Sequence, residues 1–337
     1  MGSIFQSPLA ASASGDTGNT ARAAFVDVGA RSMMEKTIVV TGAYGFIGRH
    51  VARLFAQRGH KVVGIGHGEW PREEWESWGL SGWHQTDITL STLQQYAGCP
   101  SAIVHCAGSG SVYFSVEYPL ADFERTVVTT AHVLEYVRLR APSCSVVYPS
   151  SASVYGTVEA MPIREDCSVA PISQYGVHKL VAEHMVASYA RQFGISASIV
   201  RLFSVYGCGL RKQLLWDACC KFAKQDSVFM GTGDEVRDWL HVEDAAELLL
   251  AAVEHASAQC PTVNGGSGEG TSVREVLRHL GSSFMQAGLI PSFSGALRTG
   301  DPSRYVADIE GSKAWGWSPK RRWQEGVSEY AAWWQQR

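Results

Sequence analysis

The chain carries no marked excess of charge of either sign. Its 29 Lys and Arg residues stand against 32 Asp and Glu residues among 337, a formal net charge of −3. A nucleic-acid-binding surface usually brings a basic excess, so the composition argues against one. No apolar run approaches the ~20 residues that a membrane-spanning helix needs, so we expect no membrane role. An anionic small-molecule ligand would have to be held by local arginines.

The eight cysteines form neither a metal-binding pattern nor a disulfide pattern. None belongs to a C-x-x-C pair, and no histidine joins them at the spacing of a zinc site. Scattered thiols in a chain this large are typical of reduced, mostly buried residues of a cytoplasmic protein. We therefore expect no metal site and a cytoplasmic location.

The first 34 residues show no pattern of an ordered element. The stretch from Met1 to about Ser32 is rich in Ala, Ser, Gly and Thr and has no hydrophobic periodicity. It lacks the charged start and apolar core of a secretory signal peptide. We expect residues 1–34 to be a disordered leader, and we assign it no function.

From Lys36 onward, short β-branched runs alternate with longer helical stretches. The pattern predicts strands at 37–40, 61–65, 102–105, 145–148 and 196–203, and helices at 51–58, 123–138 and 175–193. Strands separated by helices of this length predict a parallel sheet covered on both faces. The expected fold is therefore α/β, a doubly wound parallel sheet of the Rossmann type.

After Val205 this alternation breaks. Loop glycines and a tail dense in tryptophan follow, and they predict a smaller mixed α/β lobe that binds the substrate. The boundaries predicted are 35–205 plus about 240–265 for the dinucleotide-binding domain, and about 206–239 plus 266–337 for the C-terminal lobe.

A glycine loop follows the first predicted strand. Gly42, Gly45 and Gly48 lie in TGAYGFIG and open a helix. Glycine at these places lets the backbone turn tightly, approach a pyrophosphate and pack the helix against the strand. The helix N-terminus then offers free N–H groups to the phosphates. A tight turn without a ligand is the alternative, and the position directly after the first strand disfavours it.

One part of the usual dinucleotide site is missing. An Asp or Glu about 20 residues further on normally binds the adenine ribose of NAD. Here the second strand runs into Gly66-His67-Gly68, with no carboxylate. Without that acid a ribose 2′-phosphate is not repelled, so NADP is admissible beside NAD. Arg49, His67 and Arg72 are nearby cations that could meet the phosphate, although each is more often a solvated surface residue.

A tyrosine and a lysine at helical spacing mark the candidate catalytic site. Tyr175 and Lys179 are four residues apart, so both project from one helix face. A phenol is a poor base at neutral pH, but we expect the neighbouring ammonium and an oxidised nicotinamide ring to lower its pKa. Ser151, at the end of the strand before, would hydrogen-bond the same substrate oxygen. The set predicts hydride chemistry on an alcohol.

Taken together, these segments resemble the extended short-chain dehydrogenase/reductase family, in its nucleotide-sugar epimerase/dehydratase branch. TGAYGFIG is similar to the branch's TGxxGFIG loop, and Ser150-Ser151-Ala-Ser-Val-Tyr-Gly156 to its SSxxVYG segment. The resemblance covers Lys36 to Trp334 and implies Tyr175, Lys179 and Ser151 as catalytic residues. It implies cofactor contacts at Gly42, Tyr44, Gly45, Phe46, Ile47, Gly48, His67, Asp87, Ile88, Ala107, Gly108, Tyr175 and Lys179.

Later segments carry the substrate side of the resemblance. Arg201-Leu-Phe-Ser-Val-Tyr-Gly207 is similar to RxxNVYG, with Ser204 in place of Asn and Cys208 in place of the following Pro. Arg237-Asp238-Trp-Leu-His241-Val-Glu-Asp244 is similar to RDxxHVxD, and its arginine implies a contact with a nucleotide diphosphate. The substrate-binding residues implied are Ser153, Ser204, Arg237, Arg298 and Asp301.

The resemblance leaves several reactions open. The dehydratases carry an Asp-Glu pair after the catalytic hydroxyl, and here Ala152 and Ser153 stand there, which disfavours elimination. An epimerase acting through a 4-keto sugar is favoured narrowly over an NADPH-dependent 4-keto-sugar reductase. A cofactor-binding regulator without chemistry is less favoured because Tyr175 and Lys179 are both present. The resemblance also implies a homodimer built partly from the Tyr175 helix, and precursors of cell-surface polysaccharides as substrates.

Overall fold

The computed structural model describes residues 35–284, 290–296 and 303–337. The strands are β1 Thr37–Thr41, β2 Lys61–Gly66, β3 Gly82–Gln85, β4 Ala102–His105, β5 Ser145–Ser151, β6 Ala197–Leu202, β7 Ser204–Tyr206, β8 Val228–Phe229, β9 Val236–His241, β10 Thr262–Gly265, β11 Gly270–Ser272 and β12 Ser292–Phe293. The predicted leader, 1–34, lies outside the described residues, as do Arg298 and Asp301.

Helices fill the intervals between most of these strands. They are α1 Phe46–Gln57, α2 Arg72–Ser77, α3 Leu90–Tyr96, α4 Val112–Glu117, α5 Pro119–Phe123, α6 Thr129–Arg140, α7 Gln174–Phe193, α8 Gln213–Ala223, α9 Val242–Glu254, α10 Val273–Ser282, α11 Glu310–Ala314 and α12 Trp323–Gln335. A single π-helical turn, Glu124–Val128, joins α5 to α6. None of the described helices is long and apolar enough to cross a membrane.

Seven strands form one parallel sheet in the order β10-β6-β5-β4-β1-β2-β3. The prediction of a doubly wound Rossmann-type fold is confirmed. Apolar side chains of β1, β2, β4, β5 and β6 are buried on both faces of the sheet, which explains their near-continuous β-branched sequences. The chain leaves β1 in one direction for β2 and β3 and returns to its other side at β4. A crevice for ligands therefore opens at the carboxyl ends of β1 and β4.

Two smaller sheets lie in the second half of the chain. One is mixed, in the order β11-β9-β7, and the other pairs β12 with β8. A separate apolar cluster joins α8, α10 and α12, and it contains Leu215, Leu277 and Tyr330 with almost no exposure. This arrangement agrees with the mixed α/β character predicted for the C-terminal part. The division into two domains stays a prediction.

Candidate active site

The glycine loop after β1 is packed too tightly for side chains. Gly42 has a φ of +71°, and a Cβ on it would lie 2.7 Å from the Ala107 nitrogen. The Gly42 N–H donates to the Ile65 carbonyl at 2.7 Å, which ties β1 to the end of β2. A Cβ on Gly48 would overlap the Gly42 carbonyl group. The first turn of α1 can therefore lie directly against the loop.

The start of α1 is open to an anion. Its N-cap is Gly45, which has no side chain to accept from the first N–H groups, and the first turn contains no acidic residue. Unsatisfied N–H groups and the positive end of the helix dipole favour a phosphate there. This cradle, which a Cβ would fill, fits a dinucleotide pyrophosphate. The predicted contacts Tyr44, Phe46 and Ile47 lie in the same turn.

The backbone at the end of β2 excludes the expected acid. Gly66 has a φ of +155°, a value that favours glycine, and a Cβ on it would lie 3.2 Å from the Gly42 nitrogen. The Trp83 ring edge would be 3.6 Å from the same Cβ. Trp83 also lies against Gly64, whose missing side chain makes room for it. The Trp83 ring therefore fills the space beside Gly66, at the end of the groove where the adenosine of a dinucleotide is expected.

The cations named near this end of the groove already have partners. The Arg49 guanidinium donates to the Tyr44 carbonyl at 2.6 Å and lies 5.2–5.3 Å from the ring centres of Tyr44, Trp70 and Trp78. Burial lowers the pKa of Arg49. The remaining pairs are His67 with Asp87 at 3.2 Å and Arg72 with Glu76 at 2.7 Å, both largely exposed. Asp87 and Ile88 are the next two predicted cofactor contacts. Asp87 lies beside His67, and Ile88 is buried.

The three candidate catalytic side chains come together at the carboxyl edge of the sheet. Ser151 is the last residue of β5, and its hydroxyl accepts from the Ser153 N–H at 3.2 Å. Tyr175 stands in the first turn of α7, and the Ser151 side chain is close enough to its phenol to lower the pKa of that phenol. Lys179, one turn further on, donates to the Pro149 carbonyl at 2.9 Å, with its Nζ 6.0 Å from the centre of the Tyr175 ring. Two predicted cofactor contacts, Ala107 and Gly108, follow β4 nearby.

The pKa of Tyr175 moves against our expectation. Burial raises it to about 12, the Ser151 hydrogen bond lowers it in part, and the Asp122 carboxylate raises it further. We expected the Lys179 ammonium to lower this pKa, and in the chain itself desolvation of the phenolate outweighs any such effect. The chain therefore holds Tyr175 as the neutral phenol.

The Lys179 amine is the more readily titrated member of the pair. Burial lowers its pKa to about 8, while Cys106, Asp122 and Glu183 raise it. The side chain is only 6% exposed. An amine whose pKa lies close to neutral pH can gain or lose its proton under ordinary conditions. The groups around Lys179 therefore influence the charge of the site.

A buried polar layer lies beneath these residues, and sequence analysis did not single out most of it. His105 is 1% exposed and shares hydrogen bonds with Thr41 at 2.7 Å and Thr130 at 3.2 Å. Burial lowers its pKa to about 3, so it stays neutral. The Tyr148 ring lies 4.9 Å from the Lys179 Nζ.

The predicted substrate residues are spread over three segments. Ser153 lies two residues after Ser151, and its hydroxyl is buried without a hydrogen-bond partner among the described residues. Ser204 begins β7, and Arg237 lies in β9, where its Nη1 donates to the Val236 carbonyl at 3.0 Å. The strands β7 and β9 are neighbours and run parallel, so Ser204 and Arg237 stand near the same end of one sheet.

Two charged residues of the substrate-side segments make contacts that hold the fold together. Asp238 is fully buried and accepts from the Ser267 hydroxyl at 2.7 Å and from the Gly268 and Ala307 N–H groups at 3.0 and 3.1 Å. It therefore fastens the loops beside Arg237. Arg201 is likewise buried in an ion pair with Glu183 at 2.9 Å.

Comparison with known proteins agrees with this geometry. Residues 38–264 match the model of the NAD dependent epimerase/dehydratase family. The chain belongs to that family. It is 30% identical to a UDP-glucose 4-epimerase of Azospirillum brasilense over 88% of this chain and 91% of that protein. It is 27% identical to a putative UDP-glucose 4-epimerase of Methanocaldococcus jannaschii over 88% of this chain and 97% of that protein.

Solved structures of the family have the same fold. A UDP-galactose 4-epimerase superposes with a TM-score of 0.76 at 28% identity, covering 89% of this chain and 99% of that one. The protein MoeE5, solved with UDP-glucuronic acid and NAD, gives a TM-score of 0.79 at 25% identity over the same shares of the two chains. The family member described here is thus an enzyme of the nucleotide-sugar epimerase type.

Proposed function

We propose that the chain is a nucleotide-sugar 4-epimerase that works through a transient 4-keto sugar. The observation that carries the proposal is the grouping of Ser151 at the end of β5 with Tyr175 and Lys179 in the first turns of α7, at the carboxyl edge of a dinucleotide-binding sheet. The names of its relatives, UDP-glucose and UDP-galactose 4-epimerases, support UDP-hexoses as the substrate class.

The proposed chemistry moves one proton and one hydride. A nicotinamide cofactor held by the glycine loop and by Ala107 and Gly108 would supply hydride exchange at the sugar C4, on both faces of the ring. Burial alone keeps Tyr175 neutral, and the combined positive charge of Lys179 and an oxidised nicotinamide ring would favour its phenolate. As the phenolate, Tyr175 removes the proton of the C4 hydroxyl and later gives it back, while Ser151 holds the same oxygen in line. The chain neither gains nor loses electrons over one cycle.

The residues after Ser151 are unsuited to elimination. Ala152 has no titratable group, and the Ser153 hydroxyl is a poor acid and base at neutral pH. A 4,6-dehydratase would need both functions near the sugar C5 and C6. We therefore keep dehydratase activity out of the proposal.

We propose NAD as the cofactor. The NAD in the complex of MoeE5, a protein of similar structure, supports this choice. The pairing of Arg49, His67 and Arg72 with other groups also supports it, because a 2′-phosphate would have to compete with those partners. The residues proposed to hold NAD are those of the glycine loop, His67, Asp87, Ile88, Ala107, Gly108, Tyr175 and Lys179.

The nucleotide diphosphate is proposed to bind at Arg237. This arginine stands at the parallel pair of β7 and β9 with Ser204, and Asp238 fastens the surrounding loops. Arg298 and Asp301 are proposed as further ligands on sequence grounds alone. An arginine binds phosphate oxygens in a bidentate fashion, which suits a protein with no overall positive charge.

A homodimer is proposed from an exposed apolar face on α4, α5 and α7. Val116 and Leu120 are 67% and 69% exposed, and Val177 and Val181 on α7 are 37% exposed each. Solvent-exposed apolar side chains gathered on adjoining helices favour burial against a partner. We call this surface the α4–α5–α7 face. Cytoplasmic location and the two-domain division remain proposals from the sequence.

One observation favours a second function, NADPH-dependent reduction of a 4-keto sugar. Gly66 removes the carboxylate that would repel a 2′-phosphate, and its backbone conformation disfavours any acid there. In that reaction Tyr175 would donate its proton, and the cofactor would leave after each turnover.

Identification of the cofactor separates the two functions. The purified chain is denatured, released nicotinamide nucleotide is identified by mass spectrometry, and native protein is incubated with UDP-glucose or UDP-galactose. Interconversion of the two sugars without added reductant, with NAD released, is the expected result. A strict requirement for added NADPH, with a 4-keto sugar as substrate, would replace the epimerase by the reductase. Tyr175→Phe serves as the inactive control.

A further inference from the structure

A buried carboxylate lies next to the catalytic helix and takes no part in the proposed chemistry. Asp122, on α5, is fully buried, and its Oδ2 lies 2.5 Å from the Nδ1 of His178 on α7. Its other oxygen, Oδ1, is buried without a hydrogen-bond partner among the described residues. His178 is itself 8% exposed and directly precedes Lys179. Burying a carboxylate with one oxygen unpaired costs free energy of folding, so the presence of Asp122 at this place needs an explanation.

The two short helices before α6 hold the first turns of α7 at two points. Ser115 on α4 accepts from the Tyr175 N–H at 3.0 Å and donates to the Val112 carbonyl at 2.7 Å. Asp122 on α5 makes the second contact, to His178. Both contacts flank the candidate catalytic residues, so they fix where the Tyr175 end of α7 lies relative to α4 and α5.

The charges around Lys179 single out Asp122. Of the three groups that raise the Lys179 pKa, Cys106 keeps its proton at neutral pH because burial raises its own pKa to about 12. Glu183 is paired with the guanidinium of Arg201 at 2.9 Å, which offsets its charge. Asp122 has only an imidazole as partner. Unlike Glu183, Asp122 is therefore not paired with a permanently charged group.

We propose that Asp122 is a positioning residue that, through His178, holds the Tyr175 end of α7 in place and puts a negative charge near Lys179. The inference deepens the proposed function and rests on it for its meaning in catalysis. Asp122 touches neither reacting atoms nor cofactor in this scheme, and it acts through Lys179 and His178.

Other titratable groups facing Lys179 do not replace this charge. Those on the elements packed against it are His105 and Cys106 at the end of β4, Tyr148 on β5, Asp122 on α5, and Tyr175 and Glu183 on α7. His105 is neutral because burial lowers its pKa, and burial raises the pKa of Tyr148 and of Tyr175. Asp122 is therefore the one carboxylate in this described set that has no arginine as its partner.

The direct test is a titration of Lys179 that needs no substrate. Protein labelled with ¹³C at the lysine Cε is followed by NMR from pH 6 to pH 11, and the Lys179 signal is assigned by its loss in Lys179→Met. Asp122→Asn keeps a hydrogen-bond acceptor for His178 but removes the charge. We expect its Lys179 titration midpoint to fall by about one pH unit. Asp122→Glu restores the charge and is expected to restore the midpoint.

A pH profile of turnover is the second readout. In Asp122→Asn the whole profile is expected to move to lower pH, because both Lys179 and Tyr175 lose a nearby negative charge. His178→Ala removes the hydrogen bond between Asp122 and α7, so it should lower turnover at every pH. Asp244→Asn, which removes another buried carboxylate far from α7, should move neither the pH profile nor the Lys179 midpoint.

The outcomes separate this inference from the proposed function. An unchanged Lys179 midpoint in folded Asp122→Asn overturns the inference, whatever the activity. A lowered midpoint in a chain that shows no epimerase activity supports the electrostatic role of Asp122 and refutes the proposed function instead. If Asp122→Asn does not fold, Asp122→Ser gives the same comparison with a smaller neutral side chain.

Discussion

At the scale of single residues, three glycines shape the dinucleotide groove. Gly42 and Gly48 allow the loop, the first turn of α1 and the segment after β4 to touch through their backbones. Gly66 does something different, since its φ of +155° makes the usual ribose-binding acid unfavourable there. The first two positions therefore favour a dinucleotide in general, while the third weakens discrimination against NADP.

Tyr175→Phe is expected to lower turnover by about 100-fold or more, because it removes the group that transfers the proton. Cofactor binding should persist, since the glycine loop is untouched. Turnover is measured by sugar interconversion and cofactor binding by quenching of tryptophan fluorescence. Tyr189→Phe, on the same helix but paired with Glu135, is the matched control and should retain activity. Full activity of Tyr175→Phe would disprove the catalytic assignment.

Arg237→Ala is expected to weaken binding of the nucleotide sugar by about tenfold or more, because a charge-assisted contact to phosphate is lost. Its turnover at saturating substrate should change less than its affinity. Calorimetric titration with UDP alone measures the effect. Arg274→Ala removes a nearby arginine that is paired with Asp234, and its affinity should stay near that of the unaltered chain. Equal affinities of the two variants would refute the diphosphate role.

At the scale of elements, α4 and α5 have two different sides. Their polar contacts, through Ser115 and Asp122, reach α7 and hold the catalytic end of that helix. Their apolar side chains Val116 and Leu120 stand exposed. If the α4–α5–α7 face is buried in a dimer, the partner would also restrain the helices that position Tyr175. Dimer formation and catalysis are thereby expected to be coupled.

Leu120→Glu is expected to convert the dimer into monomers, because a carboxylate at the centre of an apolar interface loses its hydration. Sedimentation velocity measures the change of mass. Val228→Glu, at another exposed apolar position on β8, provides the control and should leave the mass unaltered. A chain that is monomeric before any substitution would contradict the proposed dimer.

At the scale of the whole molecule, the alternation of β-branched runs and helices was enough to predict the Rossmann-type sheet. It failed for β3 and β10, because Gly-Trp-His-Gln and Thr-Val-Asn-Gly are short and lack the β-branched alternation of a strand. The motifs also predicted that Tyr175, Lys179 and Ser151 meet. The raised pKa of Tyr175 and the role of Asp122 could not be predicted, since both depend on burial between elements distant in sequence.

Buried histidines give the whole chain a predictable response to acid. Burial lowers the pKa of His105 to about 3 and that of His241 to about 4, below the ordinary value of 6.5. Between those values the unfolded chain binds more protons than the folded chain, so stability is retained above pH 6.5 and lost as the pH falls. Each such group contributes about 1.4 kcal/mol per pH unit within that window.

Urea unfolding at pH 7.5, 6.5, 5.5 and 4.5 should therefore show a falling free energy of unfolding below pH 6.5. His105→Asn is expected to be less stable at pH 7.5 but to have a shallower fall, by about 1.4 kcal/mol per pH unit. His184→Asn, which replaces an exposed imidazole on α7, should keep the slope of the unaltered chain. If the free energy of unfolding of His105→Asn falls with the same slope as that of the unaltered chain, groups other than the His105 imidazole cause the loss of stability in acid.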